Sequence, residues 1–219
     1  MTTAKAYKGL PMEGMIASWY TNTTSRDLKR HKHMAARLAP KIPAHGRVLE
    51  IAPGPGFFCI ELARLGNYRI TGLDISKSFV EIASKYAAES GFKIDFRLGN
   101  ASAMPFEDET FDFTFCQAAF KNFSEPVKAI AEMYRVLRPN GTAVIADLRR
   151  DASLEDIQRE IAGMHLNRTN AALTRLTFRT VLLKNAYRTA DIDRMIAQTP
   201  FGQGRIEIDG IGFLAWLKK

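Results

Sequence analysis

The sequence predicts an α/β protein: a doubly wound, mostly parallel sheet with an antiparallel C-terminal strand, N-terminal helices and a helical lid insert. Three observations predict it. Between residues 47 and 148, short apolar runs alternate with longer stretches of helical periodicity, the pattern of βαβ units. The first apolar run opens into a turn dense in glycine and proline, "VLEIAPGPGF" from Val48 to Phe57. The last two runs stand only a few residues apart, which suits antiparallel pairing.

Gly14–Leu38 reads as one or two helices. Arg47–Ala52 is the first strand, and the helical stretch Phe57–Leu65 after it stops at Gly66. Arg69–Asp74 is the second strand. Lys77–Ser90 repeats Phe79, Val80, Ile82, Ala83, Tyr86 and Ala87 at helical spacing and ends at Gly91. Lys93–Leu98 and Phe111–Cys116 are the third and fourth strands. Pro126–Leu137 places Val127, Ile130, Tyr134 and Leu137 on one helical stripe, closed by Pro139-Asn140-Gly141. Thr142–Asp147 is the fifth strand, and the alternation implies right-handed crossovers. Beyond it Ser153–His165 and Thr169–Leu183 read as helices, as does Thr189–Gln198 with Thr189 as its N-cap. Arg205–Asp209 and Ile211–Leu217 form the final pair of strands, broken at Gly210. The expected organisation is one domain over 1–219: a helical cap (1–46), a cofactor-binding core (47–148), a lid or substrate insert (149–188), and a last helix with two strands (189–219).

A chain of 219 residues, 46% hydrophobic and 25% charged, suits a soluble domain able to hold a ligand cleft. Its net charge of +8 is uneven: residues 1–47 carry +7, residues 48–147 carry −3 and residues 148–219 carry +4. Basic flanks suit nucleic acid, an anionic membrane surface or an acidic small substrate. With no basic motif interleaved with aromatics, solvated helix faces are the expected reading. Cys59 and Cys116 fall inside core elements without metal-ligand spacing, so neither a disulfide nor a metal site is expected. No leader-like or bilayer-spanning apolar run is present in the sequence, and a cytoplasmic protein with no membrane partner is expected.

The turn after the first strand decides the ligand. A dinucleotide site needs a third glycine where Cys59 stands, and a P-loop needs a Gly-Lys-Ser/Thr that is absent. Glu50 precedes the turn, opposing a phosphate and suiting a cation. Asp74 ends the second strand in "ITGLDIS", where its carboxylate suits the two hydroxyls of a ribose. Gly54 and Gly56 let a ligand approach the backbone. Two acids and a bare turn without phosphate machinery describe an adenosyl ligand such as S-adenosylmethionine.

From about Trp19 to Leu148 the chain resembles the class I S-adenosylmethionine-dependent methyltransferases, whose fold is Rossmann-like. "VLEIAPGPGF" resembles the first motif of that family and "GLDIS" the second. "RLGNASAMPFEDETFDFTFC" resembles the third and fourth, and "RVLRPNGTAVIAD" the helix-turn-strand that follows. The resemblance implies that S-adenosylmethionine is the cofactor and S-adenosylhomocysteine its product. It implies cofactor contacts at Tyr20, Glu50, Ala52, Gly54, Gly56, Asp74, Ile75, Asn100, Ala101, Ser102 and Gln117. Departures are Ala52 for the first loop glycine, Asn100 for the usual Asp, and Lys121 with Asn122 where a pair of histidines often stands.

Methyl transfer to an O or N atom of a small-molecule acceptor is the expected reaction. Neither an Asn/Asp-Pro-Pro-aromatic loop nor a Pro-Cys nucleophile follows the fourth strand, which disfavours nucleobase acceptors. No catalytic base is assigned. His165 in "AGMHLNR" is the weak candidate, while His31 and His33 lie in a charged helix. The alternatives are an RNA- or ribosome-associated methyltransferase, which the basic ends keep open, and a non-catalytic S-adenosylmethionine-binding protein. A monomer or homodimer is expected.

Overall fold

Every strand expected from the apolar runs forms in the computed structural model, which describes residues 7–8, 12–24, 28–164, 168–178 and 183–219. They are β1 (Arg47–Ile51), β2 (Arg69–Asp74), β3 (Asp95–Leu98), β4 (Phe111–Gln117), β5 (Leu137–Leu148), β6 (Arg205–Asp209) and β7 (Gly212–Lys218). One sheet takes all seven in the order β3-β2-β1-β4-β5-β7-β6. Strands β1 to β5 run parallel, and β7 lies antiparallel to β5 and β6. Strand order reverses between β1 and β4, so a ligand crevice is expected beyond their carboxyl ends.

The helices are α1 (Gly14–Thr24), α2 (Leu28–Leu38), α3 (Phe57–Ala63), α4 (Lys77–Glu89), α5 (Pro126–Val136), α6 (Leu154–Gly163), α7 (Arg168–Thr177) and α8 (Thr189–Ala197). Period-two alternation distributes each inner strand between two cores. Val48, Phe113, Phe115 and Val144 pack with Met34, Leu38, Phe58 and Leu62 of α2 and α3. Leu49, Ile51, Cys116 and Ile145 face the opposite side, against Ile130 and Met133 of α5 and Ile192 of α8. Each fully buried chain of this size contributes about 1.5–3 kcal/mol. Helix α6 belongs to a third cluster, in which its Ile157 and Ile161 meet Phe178, Leu183 and Ile211.

Two local expectations are corrected. Pro139-Asn140-Gly141 does not close a helix before a new strand. Helix α5 ends at Val136, and β5 begins at Leu137, which pairs with Phe111. The next pair is Phe113 with Thr142, so the intervening residues bulge within one strand, with Asn140 at φ 64°. Lys219 holds the bulge: the Asn140 N–H donates to its carbonyl and its N–H donates to the Gly141 carbonyl. Thr189 is not an N-cap either. The cap is Arg188, whose N–H donates to the Asp191 carboxylate at 3.1 Å. The Thr189 hydroxyl is drawn instead to Asp151, 2.8 Å away.

Candidate functional site

The β1–α3 turn is made by left-handed backbone. Ala52 and Gly54 have φ 55° and Gly56 has φ 78°. The bend at Ala52 is held because its N–H donates to the Leu73 carbonyl at 2.8 Å. The two glycines differ in purpose. A Cβ on Gly54 would point into open space, meeting only the Tyr20 ring at 4.0 Å. A Cβ on Gly56 would stand 2.8 Å from the Phe96 ring and 3.0 Å from Ala83. Gly56 therefore caps α3 and lets α4 and β3 close on the loop. Gly56→Ala should destabilise the fold by about 2–5 kcal/mol, combining left-handed strain with overpacking. A thermal melt within a degree of the parent would refute that packing role.

A cavity of about 590 Å³ opens at the switch point, within the usual range for small-ligand sites. Tyr20, Glu50, Ala52, Gly54, Asp74, Ile75, Asn100, Ala101 and Gln117 line it, which brings together nine of the eleven residues named from the sequence. Gly56 and Ser102 lie off its wall. Ser102 turns away because its hydroxyl donates to the Glu125 carbonyl at 3.2 Å, while its N–H donates to Asn100 Oδ1 at 2.9 Å. His165 lies outside the described residues. His31 lines the cavity with its ring 5.8 Å from Phe57, and His33 is exposed on α2.

Acceptors dominate the electrostatics. Asp74 Oδ2 takes the Gly54 N–H at 3.0 Å and Oδ1 takes the Ser76 N–H at 2.9 Å. Burial nonetheless raises its carboxyl to about 6. Burial raises Glu50 further, to about 8, although the Cys59 thiol donates to it at 2.8 Å. Burial and then the neighbouring Glu50 push the Cys59 thiol up in turn. Gln117 Oε1 is buried with no hydrogen-bond partner among the described residues. Such a group is costly unless a ligand donor reaches it. The Asp74 carboxylate, a Glu50 carboxyl that a cation would ionise and an orphaned amide oxygen fit a ligand carrying hydroxyls, an ammonium and a further positive charge, as S-adenosylmethionine does. Asp74 would hold the ribose, Asn100 and Ala101 would face the adenine, and Gln117 the methionine end.

Several wall residues carry no signal in the sequence. Met12 and Glu13 reach the cavity because they are stitched to the start of α4. Ser76 Oγ donates to the Met12 carbonyl at 2.6 Å, and the Glu13 carboxylate accepts the Lys77 and Ser78 N–H groups at 3.0 Å. Across the crevice Tyr7 bridges Phe123, and the Lys8 N–H donates to the Asn122 carbonyl at 2.9 Å. Burial raises the Tyr7 and Tyr20 hydroxyls above their ordinary range. Lys121 also lines the cavity. Its ammonium is nearly buried, donating to Asp147 at 2.9 Å and to the Ala118 carbonyl at 2.7 Å. Ala118 sits at φ 57°, a strained conformation that aims this loop. Among the described residues, none from 149–188 lines the cavity.

Comparison with known proteins gives a consistent picture. Residues 49–145 match the family described as a methyltransferase domain. A demethylmenaquinone methyltransferase of Deinococcus radiodurans is 36% identical over 108 residues, covering 49% of this chain and 45% of that protein. A ubiquinone/menaquinone biosynthesis C-methyltransferase of Geotalea daltonii is 32% identical over 111 residues, covering 49% and 47%. The chain thus spans about half the length of the curated relatives it matches. Among solved structures, a candidate S-adenosyl-L-methionine-dependent methyltransferase from Methanococcus maripaludis superposes with a TM-score of 0.77 at 20% identity. The match covers 100% of this chain and 97% of the other, a likeness of fold.

Proposed function

We propose that the chain, whose residues 49–145 match the family described as a methyltransferase domain, transfers a methyl group from S-adenosylmethionine to an O or N atom of a small-molecule acceptor. The observation that carries the reading is the Asp74 carboxylate, buried at the switch point and locked by the Gly54 and Ser76 amides, with the orphaned Gln117 Oε1 on the same wall.

The bound donor supplies an electrophilic methyl carbon, with the C–S bonding pair leaving to sulfur. The residues of this chain bind, orient and exclude water. Asp74 fixes the donor and the segments about Tyr7 and Met12 cover it. Positioning of this kind is worth about 7–11 kcal/mol for well-aligned reactants. Lys121 stands on the cavity wall beside Gln117, and two of its three N–H bonds are committed to Asp147 and Ala118. The third would hold an acceptor oxygen that arrives already ionised, its proton given up to solvent beforehand and its charge lost as the new C–O bond forms, and this favours oxygen.

A second reading has a specific observation behind it. The Geotalea daltonii relative is named a C-methyltransferase, and that name favours an activated ring carbon as acceptor. Carbon-13 spectra of the product made with labelled donor from a hydroquinone acceptor separate the two outcomes. The donor assignment itself is tested by titration calorimetry. S-adenosylhomocysteine should bind with micromolar Kd and NAD should not bind. Absence of the first would overturn the reading.

A further inference from the structure

Among the described residues, none covers one face of helix α1. It buries Ala17 and Thr21 and lends Tyr20 to the cavity wall. On its outer side Met15, Ile16 and Trp19 are 89%, 43% and 66% exposed, one helical turn apart. Clustered large apolar side chains in water mark an interaction surface. Helix α2 behaves differently. It buries Met34, Ala35 and Leu38 and exposes Lys29, Lys32 and His33 on the opposite side. Neither lysine forms an ion pair with another described residue, whereas Arg37 is held by Glu207 and Asp209.

We propose that the outer faces of α1 and α2 dock this protein on an anionic phospholipid surface. Residues 1–47 carry +7 of the net +8, so the attraction is concentrated in the segment that also bears the apolar face. Helices that lie in a bilayer interface combine buried tryptophan and aliphatic side chains with flanking lysines. Each lysine near an anionic surface strengthens the attraction about fivefold. A second copy of this chain brings a segment of the same sign against the lysines and is repelled. RNA would engage the lysines and leave Met15 and Ile16 in water. A phospholipid surface satisfies both halves. Spanning is not involved: among the described residues no helix is long and apolar enough to cross a membrane. Helices α1 and α2 also supply Tyr20, Arg30 and His31 to one cavity wall, which keeps the two helices together at that end of the molecule. The docking stands independently of the methyl-transfer reading.

The test is flotation with vesicles of phosphatidylcholine alone and of an equal mixture with phosphatidylglycerol, using the full chain. The chain has two tryptophans, so Trp216→Phe leaves Trp19 as the sole reporter. Binding to the mixed vesicles should exceed binding to neutral ones by about tenfold or more, weaken with salt, and shift Trp19 emission to the blue. K29E/K32E should reduce partitioning at least about 25-fold by the same scale, and M15S/W19S should reduce it by a comparable factor. Both should keep the parent's circular dichroism melt and S-adenosylhomocysteine affinity. If M15S/W19S does not fold, K29E/K32E still decides. Equal partitioning to both vesicles, stationary Trp19 emission, or full binding by K29E/K32E would overturn the proposal. So would a dimer in sedimentation that M15S/W19S dissolves, or RNA capture without vesicle binding.

Discussion

Asp74→Ala should weaken S-adenosylhomocysteine binding roughly 10- to 150-fold, because a hydrogen bond to a charged group is worth about 1.5–3 kcal/mol and each 1.4 kcal/mol is tenfold. The carboxylate does two things at once. It accepts the Gly54 and Ser76 amides, setting the turn, and it leaves lone pairs facing the cavity for a diol. Asp74→Asn keeps one acceptor oxygen and nearly the same volume, so it should restore the melting temperature better than the affinity. Titration calorimetry beside thermal melts separates the two roles. If both variants bind like the parent, the ribose does not sit at Asp74.

The second large effect is a dependence of stability on pH that Glu50→Gln should remove. Glu50 holds its proton up to about 8 in the folded protein, against an ordinary value of 4.5. A carboxyl raised on folding stabilises the fold fully below the unfolded value, and that contribution is lost as pH rises through the folded one. The parent should therefore lose a few kcal/mol between pH 4.5 and 8, on the order of 5–10 °C in Tm for a chain of this length. Asp74, raised from 3.8 to about 6, acts in the same direction over the lower part of that window. Glu50→Gln should be flat from pH 6 to 8 and more stable than the parent at pH 8. A cationic ligand beside Glu50 favours the carboxylate, so binding near pH 7 should release a proton. Calorimetry in buffers of different ionisation enthalpy reads that release, and Glu50→Gln should abolish it. A parent curve already flat from pH 6 to 8 would mean that Glu50 is ionised throughout.

The sheet was legible because its signals are local. Alternation in "FDFTFC" and "RITGLD" and the glycines after "VLEI" depend only on neighbours in the chain, and nine of the eleven named site residues share one cavity. What stayed hidden is set by distant partners. Gly56 reads as a ligand floor until Phe96, forty residues on, fills the space a Cβ would need. Ser102 reads as a site residue until the Glu125 carbonyl takes its hydroxyl. The Pro139-Asn140-Gly141 run has turn chemistry, and its bulge is pinned by Lys219, nearly eighty residues on. Met12 and Glu13 have no periodicity at all, and their capping of α4 bridges some sixty residues of sequence.

The attachments of the N-terminal residues carry a kinetic consequence. Glu13 is tied to α4 on one bank of the crevice, and Tyr7 and Lys8 to the β4–α5 loop on the other. For a ligand bound between those banks, loosening either attachment is expected to shorten residence time more than it changes the contacts at Asp74. Dissociation rates of the parent and of Glu13→Ala, followed by stopped flow, would read that difference.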